Sequence, residues 1–305
     1  MCDDRAMTSV TSRVSIGLNT APQRVDWQTL DAVWARVGEL DVFQSVWLND
    51  HLSDVSRDRG GPSLESLTTL AALIHRVPGR LVGHGVLSTT FRHPAVLAKA
   101  ATVLDHATGG HFVLGLGAGW HPGEHLPFAI PLPPMPERFD RFESAVETIH
   151  AMFSPAAASP QGVTRSDLYF PLDGATNEPP PLTPGGPPIW LGGQKRRGIA
   201  LAARLAQGWV LPALVPGDPV DYFRDRREAV LAEIERIGRP AHGFVFAAKV
   251  AAWRDLDPRD SVRVGLGFVE VGATHLLLMI EPGLGVAEVD RVAERIARPL
   301  REALG

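Results

Sequence analysis

Three short stretches of this 305-residue chain carry residue types that could do chemistry. The first is Asn49-Asp50-His51. An imidazole titrates at about 6.5, close to neutrality, so His51 is the natural proton carrier, and the adjacent carboxylate of Asp50 can orient it or cap a backbone amide. The second is Thr102 to His125, TVLDHATGGHFVLGLGAGWHPGEH, which reads as a helix end, a Gly-Gly break, a strand and a glycine-rich loop. Phe112, Val113, Leu114 and Leu116 make that strand almost continuously apolar, the pattern of a parallel strand covered on both faces. Gly115, Gly117 and Gly119 fall at its carboxyl end, where parallel α/β proteins place their ligands and missing side chains let a flat ring or phosphate approach. Trp120, which can stack on a substrate or plug the core, follows, and then Glu124 and His125, on a loop expected to be mobile; all three are candidates for substrate contact. The third stretch is Gly192-Gly193-Gln194 with Lys195, Arg196 and Arg197. A strand ends and a helix begins there, and unpaired amides with a helix dipole favour an anion such as a phosphate.

The elements that must position these residues alternate regularly. Strands are expected at Arg13 to Leu18, Val42 to Leu48, Leu81 to Leu87, the Phe112 stretch, Ile189 to Leu191, Gly208 to Leu211, Phe244 to Val250 and His275 to Ile280. Helices fall between them. One begins at the N-cap Asp26 with Leu30, Val33, Trp34, Val37 and Leu40 on one face. The others are Leu64 to Arg76, Ala95 to His106 behind Pro94, Glu137 to Phe153, Lys195 to Ala206, Asp218 to Ile237, Asp257 to Val269 and Val286 to Leu304. Eight strands alternating with helices define an α/β fold, a (β/α)8 TIM barrel, with insertions after strand 4 and before strand 5. The insertions are the proline-rich His121 to Pro136 and the Pro-, Gly-, Ala- and Ser-rich Ser154 to Pro188, long enough to suggest lids or binding segments. Residues 1–12 read as a disordered tail and 13–305 as one barrel domain.

Composition narrows the partners. A formal net charge of -4 gives no basic field to gather nucleic acid. The single cysteine, Cys2, offers neither a disulfide framework nor a thiolate metal site. No apolar run is long enough to span a membrane and no signal peptide is evident, so a cytoplasmic protein is expected. Two motifs mislead. The glycine loop is not a dinucleotide fingerprint, because Trp120 follows Gly119 and no helix opens there. His121-Pro122-Gly123-Glu124-His125 matches a zinc pattern, but Pro122-Gly123 argues against the helix that would bring both imidazoles to one metal, so no metal is expected. His84 and His93 are read as structural.

Taken in order, several signatures resemble the luciferase-like monooxygenase superfamily, and within it the oxidoreductases that use the deazaflavin coenzyme F420. They are Leu48-Asn49-Asp50-His51; Gly85-Val86-Leu87 followed by Phe91-Arg92-His93-Pro94-Ala95-Val96-Leu97-Ala98-Lys99; Leu104-Asp105-His106 with Gly109-Gly110; the glycine loop with Trp120 and Glu124; and Leu191-Gly192-Gly193. The resemblance spans Arg13 to the last helix. It implies a TIM barrel that binds F420, or alternatively FMN, at its carboxyl face, usually as a homodimer. It places Asp50 and His51 near the ring, and Gly85 and Val86 at a bulge, often a non-prolyl cis peptide, against which the ring packs. Gly117, Ala118, Gly119 and Trp120 would line the cofactor, and Gly192, Gly193 and Gln194, with Lys195 and Arg196, would hold its phosphate. Family members acting on sugar phosphates carry an acid where this chain has Trp120, and His111 stands where an arginine is common. The implied reaction is hydride transfer to or from a small organic substrate, with His51 and Asp50 handling the proton. The alternatives are a monooxygenase taking reduced FMN from a separate reductase, and a non-catalytic flavin- or F420-binding protein.

Overall fold

The computed structural model describes residues 14–55, 60–212 and 214–305, so the expected tail and Arg13 lie outside the described residues. Eight strands form the barrel: β1 Ser15–Thr20, β2 Ser45–Leu48, β3 Leu81–His84, β4 Phe112–Gly117, β5 Ile189–Gly192, β6 Gly208–Leu211, β7 Val245–Ala251 and β8 His275–Met279. The order is 3-2-1-8-7-6-5-4, all parallel, and pairing of Val82 with Phe112 and Gly83 with Val113 closes β3 onto β4. Closure covers both strand faces, which is why the strands read as unbroken apolar runs. Past His84 the chain forms a cis peptide at Gly85–Val86 and resumes as Leu87–Ser88, paired with Leu116 and Gly117. The single expected third strand is therefore broken where the family resemblance places the bulge.

The helices are α1 Trp27–Glu39, α2 Ser66–Leu73, α3 Pro94–Ala107, α4 Met135–Met152, α5 Arg196–Leu205, α6 Pro219–Arg236, α7 Pro258–Glu270 and α8 Val286–Val292, which continues through a π turn, Ala293–Ala297, into Arg298–Leu304. Local chemistry starts them: Asp26 accepts from the Thr29 amide at 2.8 Å, Asp218 and Asp257 cap α6 and α7, and Pro94 opens α3.

Two tryptophans plug the barrel interior. Trp47 stacks on Trp190 with centroids 4.9 Å apart, among Val113, Val210, Ala247 and Leu277. Glycines make the room: a Cβ on Gly83 would lie 2.7 Å from the Trp47 ring, and one on Gly208 2.7 Å from that of Trp190. Trp47 Nε1 donates to Ser45 Oγ at 2.8 Å, and the Ser45 hydroxyl is left to donate to His275 Nε2, also 2.8 Å away. Burial pushes His275 down to about 3, so it is a neutral part of the plug. The amino end is thus filled, and the polar residues gather at the other mouth.

Both insertions are more ordered than their composition suggests. Pro122–His125 forms one helical turn, correcting the expectation that Pro122-Gly123 argues against a helix; proline fits the first helical position. Between α4 and β5, Val163–Arg165 and Leu172–Ala175 pair as a hairpin. The segment around it is pinned to the outer helices. Asp105 of α3 accepts from the amide and hydroxyl of Thr183 at 2.7 and 2.8 Å, and Asn177 donates to Thr102 Oγ1 and the Met152 carbonyl. Those anchors tie it to α3 and α4.

Candidate functional site

The carboxyl ends of β1, β2, β4, β5 and β7 and the bulge after β3 gather the polar residues. Asp50 lies just past β2 with its side chain fully buried. Its Oδ2 accepts from the Ser88 amide at 2.8 Å, and Arg92 grips both oxygens at 2.8 and 2.9 Å. Arg92 also bonds Glu65, which caps α2 through the amides of Leu67 and Thr68. Burial works to raise the Glu65 carboxyl, but the Thr68 and Arg92 bonds overcome it and hold the group at about 2. The bonds of Asp50 fix the backbone beyond the bulge, the amide-capping role that its sequence position allows beside a place near the ring.

His51 faces the mouth. Its Nδ1 sits 2.9 Å from Glu124 Oε2, while Glu124 Oε1 accepts from the amides of Leu52 at 2.8 Å and Ser53 at 3.4 Å. Burial acts to raise the Glu124 carboxyl, yet the bonds from His51 and these amides leave it below the ordinary range, a carboxylate at neutral pH. A carboxylate only accepts, so Nδ1 carries the hydrogen and Nε2 is left to exchange protons. Trp120, 63% exposed, stands edge-on to His51 with centroids 6.4 Å apart.

Glu124 and His125 are buried rather than on a mobile loop. His125 Nδ1 donates to the His121 carbonyl at 2.8 Å and Nε2 pairs with the Thr90 hydroxyl at 2.7 Å, so this ring braces the loop. With Glu124 committed to His51, the zinc pattern dissolves; among the described residues no group of three or more His, Cys, Asp or Glu converges to hold a metal.

The glycine loop has no room for side chains. A Cβ on Gly115 would fall 1.9 Å from the His84 carbonyl oxygen, and one on Gly117 2.8 Å from Val86. Gly119, with φ +75, would drive a Cβ to 2.7 Å from Ser88 Oγ. These residues let the loop nest against the bulge and so set its position, and Ala118 packs beside the outer core. His84 is structural, pushed down to about 4 by burial, with Nε2 on the Ser66 carbonyl.

At the end of β5, Gly193 has φ +129 and packs against Gly198, while its carbonyl accepts from Trp209 Nε1 at 2.7 Å. Gln194 accepts from the Tyr222 hydroxyl at 2.6 Å. Lys195 is the N-cap of α5 and makes no side-chain capping bond, and Lys195 and Arg196 are exposed beside those first amides. Arg197 is drawn away to Asp140 at 2.6 Å. Uncapped amides beside two exposed cationic side chains, Arg196 also within reach of the Glu233 charge, suit an anionic tail.

Two residues at the mouth escaped the sequence reading. Lys249, the one charge in the apolar β7, donates through Nζ to the Gly85 carbonyl, and burial pushes its amine down to about 8. Asn19, near the end of β1, is fully buried. The available signal was Lys249 as the lone charge of an otherwise apolar strand and Asn19 as a polar residue near the carboxyl end of β1.

A closed parallel barrel with a broken third strand and a polar carboxyl mouth defines a (β/α)8 ligand-binding protein. A family model, luciferase-like monooxygenase, matches residues 13–261, and the chain belongs to that family. It is 32% identical over 252 residues to a phthiodiolone/phenolphthiodiolone dimycocerosates ketoreductase of Mycobacterium kansasii, covering 76% of this chain and 65% of that one. It is 34% identical over 199 residues to an F420-dependent glucose-6-phosphate dehydrogenase of Nakamurella multipartita, covering 65% and 55%. The chain therefore spans a little over half to under two thirds of the length of these curated relatives. Among solved structures, an F420-dependent secondary alcohol dehydrogenase in complex with an F420–acetone adduct superposes with TM-score 0.78 at 16% identity, covering 93% of this chain and 98% of that one. A monooxygenase from Streptomyces bottropensis gives TM-score 0.78 at 17% identity, covering 95% and 100%. Among the described residues no helix is long and apolar enough to cross a membrane.

Proposed function

We propose that this chain is an F420-dependent oxidoreductase that moves a hydride to or from the carbonyl or alcohol carbon of an apolar organic substrate. The observation that carries the reading is the His51–Glu124 pair at the mouth, beside an exposed tryptophan and across from a helix start suited to a phosphate. Relatives named as F420-dependent dehydrogenases and as a ketoreductase support it. The residues present fit such a cofactor. Gly192, Gly193, Lys195 and Arg196 would hold its anionic tail, and the Gly85–Val86 bulge would carry its ring. When bound, the deazaflavin supplies the two-electron step, and the protein supplies position and electrostatics.

What the chain's own residues do follows from the bonds. Glu124 fixes the His51 tautomer and stabilises the imidazolium, so Nε2 takes the hydroxyl proton in oxidation and returns it in reduction. The Arg92–Asp50–Glu65 network holds the backbone on which His51 and the bulge sit. Trp120 offers an apolar surface where sugar-phosphate enzymes of this family carry an acid, which turns the preference toward ketones and secondary alcohols. The same reading makes the protein a cytoplasmic homodimer whose F420 is re-reduced by a separate enzyme.

Stopped mixing of the reduced deazaflavin with a panel of apolar ketones, aldehydes, enones and glucose 6-phosphate tests this. Reappearance of the oxidised chromophore with the apolar carbonyls is expected. Oxidation only with the sugar phosphate would overturn the substrate class, and consumption of oxygen with reduced FMN would place the chain with the monooxygenases. Cofactor binding without turnover of any substrate would make it a non-catalytic binding protein.

A further inference from the structure

The floor of the mouth holds two polar groups that the fold itself leaves underused. Asn19 is fully buried: its Nδ2 donates to Asn49 Oδ1 at 3.0 Å, which orients the amide, and its Oδ1 accepts no hydrogen bond among the described residues. A buried acceptor left unsatisfied weakens the folded state. Lys249 lies across the same gap. A Cβ placed on Gly85 would sit 3.0 Å from Asn19 Oδ1 and 3.8 Å from Lys249 Nζ, so both groups border the space beside this one glycine. The one hydrogen bond of Lys249 within the fold goes to the neutral Gly85 carbonyl; no carboxylate among the described residues pairs with it. Leu277, its neighbour on β8, is apolar, and Trp47, Trp190 and Val210 fill the interior below. A cation held among apolar groups without a counter-ion weakens the folded state. The other charges in the mouth are already matched, Arg92 with Asp50 and Glu65, and Glu124 with His51.

We propose that Asn19 and Lys249 form the recognition floor for the pyrimidinedione edge of the bound ring, a further binding site that rests on the cofactor reading above. Such an edge presents an imide N–H flanked by carbonyl oxygens. Asn19 Oδ1 is the acceptor for that N–H. Lys249 Nζ, with donors beyond the one spent on Gly85, serves a carbonyl oxygen and supplies positive charge where the reduced ring is electron-rich. Gly85 is required because a side chain there would fill the space between them. The pair is thus kept for the ligand at the expense of the apoprotein.

Two substitutions and two readouts separate this from a structural role. The probes are F420 and the deazaflavin riboside that lacks the phosphate-bearing tail, titrated by fluorescence quenching, alongside the thermal midpoint of the ligand-free protein. Lys249→Met is expected to keep or raise Tm while weakening both probes by at least about 10-fold, the loss of one charge-assisted hydrogen bond. Asn19→Asp gives the ammonium a counter-ion in place and removes its pull on the ring. It too should hold or raise Tm and weaken both probes. Because the riboside has no tail, its loss cannot come from the Gly192–Gly193 end. A fall in Tm for both variants would make the pair a structural brace and overturn the proposal, as would unchanged affinity for the riboside. Failure of the wild-type protein to bind either probe would instead overturn the cofactor reading itself.

Discussion

Glu124→Gln removes one charge from the mouth and changes almost no volume. The wild-type carboxylate accepts three bonds, from His51 Nδ1 at 2.9 Å, the Leu52 amide at 2.8 Å and the Ser53 amide at 3.4 Å. A glutamine amide has one oxygen to offer. Two backbone N–H groups compete with one imidazole for it, so the oxygen stays with Leu52 and Ser53 and the NH2 turns toward His51. Nδ1 must then accept, and the ring hydrogen moves to Nε2. In that tautomer Nε2 cannot take a proton, and an imidazolium would point its Nδ1–H at a donor. The lost charge-assisted bond is worth about 1.5–3 kcal/mol. Removing correct acid/base geometry costs about 10²–10⁴ in rate. Turnover with F420 and a secondary alcohol should fall within that second range, while cofactor affinity stays at the wild-type value, because no tail or ring contact is altered. Nitrogen NMR of histidine-labelled protein should show the switched tautomer. Wild-type turnover in a variant with the switched tautomer would refute the proton path through His51.

Other expectations follow from the same contacts. Arg92→Met leaves the fully buried Asp50 without its partner, and removing one side of a buried pair costs about 3–5 kcal/mol, readable as a lower urea midpoint. Glu65, held at about 2 against an ordinary 4.5, has a depressed folded-state pKa, so its contribution is complete above the ordinary value and is lost as pH falls toward about 2. Acid titration of stability should show that loss in the wild type and a flatter profile in Arg92→Met. Gly83→Ala drives a methyl to 2.7 Å from the Trp47 ring and should cost about 1–3 kcal/mol by overpacking, with a loss of near-ultraviolet circular dichroism from the stacked indoles. Lys195→Glu with Arg196→Glu reverses two charges at the exposed start of α5. It should weaken F420 at least about 10-fold and leave the tail-less riboside unaffected, a difference that titration of both would expose.

Much of the barrel was readable because its closure buries both faces of every strand and leaves runs such as Phe112 to Leu116 with no polar interruption. Helix starts were readable where the cap is local, as at Asp26, Asp218 and Asp257. What stayed hidden depends on partners far apart in sequence. Arg92 meets Asp50 from 42 residues away, and Thr183 meets Asp105 from 78, so neither the role of Asp50 nor the anchoring of the proline-rich insertion shows in a local pattern. The hairpin of Val163–Arg165 with Leu172–Ala175 has too few apolar residues to alternate visibly. Pro122-Gly123 disguised a helical turn, since proline marks a helix start as readily as a break, and with it the burial of Glu124 against His51. Gly115 and Gly117 were legible as required glycines, but what requires them is the neighbouring bulge, a feature of the fold in three dimensions. Lys249 and Asn19 did carry a signal, each a polar residue at the ligand end of an apolar strand.

The most direct measurement is a parallel titration of the purified apoprotein with F420 and with FMN, each oxidised and reduced, followed by fluorescence. Tight binding of F420 with weak or no binding of FMN is the result this account requires. Preference for reduced FMN, or no binding of either, would contradict it.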